Sequence, residues 1–237
     1  MTPTRHEETG MVSIPDAEGA VFRFKHIWGC FAWGDSMSQN LDLMKHSFVV
    51  AGEAEDGVIV VLREHIGTNA EVEEAAVNLK DELWISRIYA PVEPEGLIAG
   101  LRQVDGLSRY KIIARNKRDQ PIYYTITPTN RWPFYRSRKH IAPILEIPAE
   151  IELDTTSSQR RVSAACEKGR VEVSARCPTI ERQSNMKLKE GWKFSTFRAY
   201  VWLVVLLLQR QDFVKASKIK PAKNEPAWHW RDPRKRW

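Results

Sequence analysis

Residues 47–83 read SFVVAGEAEDGVIVVLREHIGTNAEVEEAAVNLKDEL. Two apolar runs, Ser47 to Ala51 and Val58 to Leu62, flank Glu53-Ala54-Glu55-Asp56-Gly57. Asp-Gly favours a tight hairpin turn, because glycine enters positive φ without a Cβ penalty, so a β-hairpin is expected. Thr68-Asn69-Ala70-Glu71 then has the spacing of a capping box, in which hydroxyl and carboxylate satisfy the backbone N–H groups that a helix start leaves free. Behind it Val72, Ala75, Ala76, Leu79 and Leu83 recur at helical spacing on one face, leaving Glu73, Glu74, Lys80 and Asp81 to solvent. A hairpin followed by an amphipathic helix is a helix laid on a sheet. The expected class is α+β: a mostly antiparallel sheet with hairpins, a covering helix near 68–83 and a buried C-terminal helix near 195–214.

Toward the N-terminus, Val21 to Ile27 alternates apolar and polar residues, the period of a strand. Ser36 is placed to cap a short helix whose Met37, Leu41 and Met44 form a core stripe. Beyond the covering helix, Trp84 to Ala90 reads as a strand, and Pro91 and Pro94 break the chain before a short helical piece at Leu97 to Val104. Tyr110 to Arg115 and Ile122 to Thr127 make a strand pair with a basic tip, and Ile144 to Leu153 an edge strand that tolerates Pro148. Arg161 to Cys166 and Arg170 to Cys177 read as strands about Glu167-Lys168-Gly169, after a polar linker at Thr155 to Gln159. The last helix starts near Ser195. Its apolar residues surround the axis between Tyr200 and Leu208, which suits burial on most sides or capture of a partner.

These elements divide the chain into a flexible leader (1–20), a main α+β domain (21–154) with a basic hairpin and loop (102–140), a hairpin and helix subdomain (155–213) and a basic, Trp-rich tail (214–237).

Charge is segregated along the chain. Lys and Arg against Asp and Glu number 7 against 17 in residues 1–101, 10 against 2 in 102–139, 11 against 9 in 140–213, and 8 against 2 in 214–237. A basic block beside an acidic one either neutralises it within the fold or presents cations to a polyanion. The opening residues Met1 to Glu8 lack the apolar stretch of a secretory signal, and the longest apolar run, Ala199 to Leu208, is half the ~20 residues that a bilayer requires. With Cys30, Cys166 and Cys177 showing no metal-ligand spacing, a cytoplasmic protein without membrane contact is expected. Cys166 and Cys177 either face each other across a hairpin or are two small buried thiols.

Chemistry-bearing patterns are sparse. The glycines form no phosphate loop, the histidines have no ligand spacing, and Ser36, Ser108 and Ser163 lack the glycines of a nucleophile elbow. Adjacent Glu64 and His65 at a strand end point to opposite faces. No cofactor and no metal is called for, and no catalytic residue is assigned.

Two segments interleave cations with aromatic rings. The first runs from Arg131-Trp132 through Tyr135-Arg136 to Arg138-Lys139, with Lys111, Arg115, Lys117 and Arg118 on the hairpin before it. The second is the tail, with Lys218, Lys220, Trp228, Trp230, Arg231, Arg234, Lys235 and Arg236. Cations neutralise phosphates and flat rings stack on unpaired bases. The expectation is a non-enzymatic protein that binds RNA or single-stranded DNA, as a subunit of a ribonucleoprotein or of a mobile-element or phage complex with protein partners. Two alternatives stand beside it: an assembly protein docking through its C-terminal helix and tail, and a metal-dependent nuclease built from acidic residues between Glu53 and Glu64.

Overall fold

Strand β3 (Val21–Ala32) is the organising element, paired antiparallel with β4 (His46–Ala54), which pairs in turn with β5 (Ile59–Gly67). The computed structural model describes residues 3–15, 21–91, 101, 110–115, 121–125, 144–186 and 188–218. The β4–β5 turn is the expected one: Gly57 has φ +93°, its N–H donates to Ala54 O, and the Asp56 carboxylate accepts from Val58 N. At the centre of β3 a Cβ on Gly29 would overlap the Phe48 ring, so only glycine lets that ring lie against the backbone.

The other strands attach to this meander. β1 (Thr4–Arg5) pairs with β2 (Val12–Pro15), and β2 with the first half of β3. Val12, Ser13 and Ile14 are buried, although this segment reads as a leader. β6 (Arg87–Ala90) runs parallel to the second half of β3, β9 (Ile144–Glu146) parallel to β6, and β10 (Val171–Val173) parallel to β5. The eight-stranded sheet is mixed and mostly antiparallel, and the fold is α+β.

Helices cover both faces. Helix α1 (Leu41–Met44) is a single turn; α2 (Asn69–Glu82) carries the capping box, with Thr68 N donating to Glu71 Oε2 at 2.8 Å and Glu71 N to Thr68 Oγ1 at 3.4 Å. Helix α2 packs Val72 and Ala76 into a core with Phe31, Phe48, Val50 and Leu62. On the opposite face α3 (Ala149–Leu153), α4 (Thr155–Glu167), α5 (Pro178–Ser184), α6 (Leu188–Gly191) and α7 (Ser195–Lys218) complete the layer. Residues Ala199 to Leu208 of α7 are all buried, against Trp28, Cys30, Val49, Ala51 and Val61 among others. A sheet covered on both sides reads as continuous apolar runs rather than alternation, which is why Ile27 to Trp33 and Phe48 to Ala51 hold almost nothing polar. Because α7 spends its apolar wall on this core, that wall is not free to capture a partner.

Several local expectations are corrected. Asn40, not Ser36, caps α1, and Met37 and Leu41 are 89% and 74% exposed. The loop's ends are pinned by Asp35 N donating to Leu43 O, which turns residues between them outward and away from any core. Lys80 is buried at 1% exposure, its stem on the same face as Val72 and Ala76 and its ammonium donating to Asp81. The expected linker at 155–159 and strand at 161–166 are together α4, capped by Asp154 accepting from Ser157 N. Helical spacing of Ser158, Val162 and Ala165 along the core outweighs the short alternation. The edge strand expected to reach Leu153 stops at Glu146, and Pro148 occupies the N-cap position of α3 instead, with no side-chain cap bond. Cys166 is exposed and bonded to the Tyr200 hydroxyl, while Cys177 is buried against Val61 O, so they do not face each other.

Candidate functional site

β6 and β9 are parallel neighbours, with Ile88 opposite Ile144 and Ala90 opposite Glu146. Parallel neighbours need a crossover rather than a turn. The chain leaves the carboxyl end of β6 and rejoins at Ile144, so the basic segment 102–139 is carried between them. Within it β7 (Tyr110–Arg115) and β8 (Pro121–Thr125) pair antiparallel as a separate two-stranded sheet, the strand pair expected from the sequence. Lys111 stands opposite Tyr124 and Arg115 opposite Pro121. Lys117, Arg118, Arg131, Trp132, Tyr135, Arg136, Arg138 and Lys139 lie outside the described residues, as do Lys220, Trp228, Trp230, Arg231, Arg234, Lys235 and Arg236. Lys218 is the last residue of α7.

In sheets with parallel strands, ligands gather outside the carboxyl strand ends. There β3 and β6 end side by side, Cys30 opposite Tyr89. The exit of β3 is held by two side chains: Gly34 N donates to His46 Nδ1 at 3.0 Å, and Arg198 donates to Trp33 O. Burial lowers the pKa of His46 against the opposing pull of Glu73, and burial also lowers that of Arg198. At the start of α7, Ser195 Oγ bonds to Ser47 Oγ at 2.6 Å and to Lys45 O at 2.6 Å, and Thr196 Oγ1 bonds to Ser47 Oγ at 2.8 Å. These hydroxyls serve one another and the backbone.

Helix α7 runs back along the sheet, from Ser195 beside Lys45 to Gln211 at Gly57, about 24 Å at 1.5 Å per residue. The basic crossover leaves β6 at the Ser195 end of α7, whereas the tail continues from the Gln211 end.

Glu53 and Glu64, the two ends of the acidic stretch considered for a nuclease centre, are separated and already engaged. Glu53 is 7% exposed and pairs with Arg210 of α7. Glu64 accepts from Thr179 N at 2.8 Å and Ile180 N at 2.9 Å, holding the start of α5. On β4 the partner of Glu64 is Val49, four residues from Glu53 and so ~13 Å away along the strand. Beside Glu64 the buried Cys177 thiol is pushed up to about 12, first by burial and then by that carboxylate. Among the described residues no group of three or more His, Cys, Asp or Glu side chains is arranged to hold a metal. Glu53 and Glu64 therefore do not stand together as a pair of ligands.

One cluster escaped sequence reasoning. The Arg210 guanidinium bonds to both the Glu53 carboxylate and His26 Nε2, joining residues 157 and 184 positions apart. Its neighbours extend the tie: Gln211 donates to Gly57 O at 2.8 Å and accepts from Arg170 at 3.0 Å, and Asp212 pairs with Arg161. Only His26 within the alternating start of β3 hinted at a polar partner.

No protein-family model matches this chain, and no curated protein matches it. Among solved structures it is similar to the yeast mitochondrial Holliday junction resolvase, with a TM-score of 0.37 and 8% identity over 79% of this chain and 85% of that one. A likeness of that size carries no functional information. No described helix is long and apolar enough to cross a membrane.

Proposed function

We propose that the protein binds nucleic acid, with RNA or single strands preferred to duplex DNA, through the basic segment 102–140 and the tail 214–237. It acts without catalysis of its own, as a subunit of a ribonucleoprotein or of a mobile-element or phage complex. The observation that carries this is the placement of charge: 10 cations against 2 carboxylates lie in residues 102–139, within a crossover whose paired strands add nothing to the eight-stranded sheet. Charge so concentrated raises the local concentration of a polyanion, and each phosphate neutralised releases counterions. The interleaved rings Trp132, Tyr135, Trp228 and Trp230 suit unpaired bases, which expose π-faces that a duplex hides.

The test is a binding titration with single-stranded RNA, single-stranded DNA and duplex DNA across about 50 to 200 mM salt, where several phosphate contacts make affinity fall steeply. Arg136→Glu with Arg138→Glu should weaken binding at least about tenfold and flatten the salt slope. Binding that is absent, or indifferent to salt, overturns the proposal.

A further inference from the structure

The polar tie at the end of α7 contains a group whose protonation state decides whether the tie holds. Arg210 has only N–H donors, so the His26 Nε2 that faces it must be an unprotonated acceptor. The same guanidinium donates to Glu53, which leaves it one fork divided between a carboxylate and an imidazole. His26 sits next to an irregularity in β3–β4 pairing, between Phe24 and His26, and its ring lies 6.5 Å from that of Trp28.

We infer that His26 and Arg210 form a pH-operated latch, in which protonation of His26 releases the last turns of α7 and with them the root of the C-terminal tail. A proton on Nε2 replaces the hydrogen bond by two N–H groups face to face, one from each of two cations. Among the described residues, the charged groups that bear on His26 are Arg210 from α7, Glu53 from β4, Arg87 from β6 and Lys25 from β3 itself. Three of the four are cations, and Glu53, the one carboxylate, is already shared with Arg210. Burial first, and Arg210 next, hold the His26 pKa below its ordinary value, so the latch is closed at neutral pH and opens under mild acid. Further ties lie at the next two positions of the helix: buried Gln211 donates to Gly57 O and accepts from Arg170, and exposed Asp212 pairs with Arg161. The opening is limited to the helix end, where these ties must give way with the latch, because Ala199 to Leu208 stays anchored in the core.

The experiment is hydrogen exchange on the full chain, corrected for intrinsic rates, followed from about pH 7.5 to about pH 5, alongside NMR titration of the His26 ring nitrogens. Protection of amides 209–218 should fall about tenfold per pH unit below the His26 midpoint, while amides 199–208 keep theirs. His26→Gln, whose side-chain oxygen accepts at all these pH values, should abolish the fall. Arg210→Gln should bring the His26 midpoint back toward its ordinary value and uncouple it from exchange. The latch is overturned if residues 209–218 stay protected while the NMR signal shows His26 protonated, or if His26→Gln opens with the same midpoint as the parent. Should His26→Gln fail to fold, the ring titration and exchange of the unmodified chain, with Arg210→Gln, decide between these outcomes.

Discussion

The backbone N–H of Gly34 donates to Nδ1 of His46, closing the exit of β3 onto the start of β4 with a bond that exists only while that nitrogen is unprotonated. His26 has the same dependence on the other half of the sheet. Both pKa values are lowered, first by burial, so the folded chain holds their protons less tightly than the unfolded chain. Such groups contribute stability that is full above the unfolded value of about 6.5 and is lost as pH falls through the folded values. The urea midpoint should therefore be flat from about pH 8 to 7 and decline below about 6.5. His46→Gln should show a shallower decline; a midpoint that rises on acidification contradicts the assignment of acceptor roles.

Glu64 offers a sharper measurement, because its carboxylate satisfies two backbone donors at the start of α5. Glu64→Ala removes both acceptors and should destabilise the fold by about 1–2 kcal/mol in urea unfolding, as loss of a helix cap does. Glu64→Gln keeps one acceptor oxygen and should lose less. Equal losses for the two would point to packing rather than capping.

Trp84 occupies a backbone position normally given to glycine. It follows α2 at φ +55°, while Ile85 N donates back to Lys80 O in the six-to-one bond of a Schellman motif. The Arg5 guanidinium lies over its ring, 5.5 Å from the centroid, fastening β1 beneath the helix end. Trp84→Gly relieves the left-handed strain and Trp84→Ala does not, so the glycine variant should be the more stable of the two by about 1 kcal/mol. Equal stability would mean that the strain is released elsewhere in the chain.

The β7–β8 pair is hydrogen-bonded within itself and not to the eight-stranded sheet. Replacing residues 108–127 by a Gly/Ser connection should leave the near-ultraviolet spectrum of the buried Trp28, Trp33 and Trp202 intact. It removes five of the ten cations of the segment, Arg109, Lys111, Arg115, Lys117 and Arg118, and should reduce both affinity and salt slope for single strands. Loss of the tryptophan signature would show that the hairpin supports the core.

Much of the fold was legible in short stretches, where the decisive partners are neighbours in sequence. The Asp56-Gly57 turn, the Thr68 to Glu71 box and the pairing of 110–115 with 121–125 each close within a few residues, and Ala199 to Leu208 is apolar on every side. The stretch 155–167 was misread because Val162 and Ala165 fit a strand or a helix equally well until the core beside them is known. Short amphipathic runs carry no information about what lies against them.

By itself the amino-acid order determined the class of the fold, the local caps and turns, and the segregation of charge, since these follow from backbone chemistry and composition. Only the tertiary structure decided that β6, β9 and β10 join in parallel, that Glu53 and Glu64 are committed to Arg210 and to α5, and that His26 meets a helix 184 residues away. Contacts of that range depend on how several elements share one core, and no periodicity or spacing along the chain encodes them.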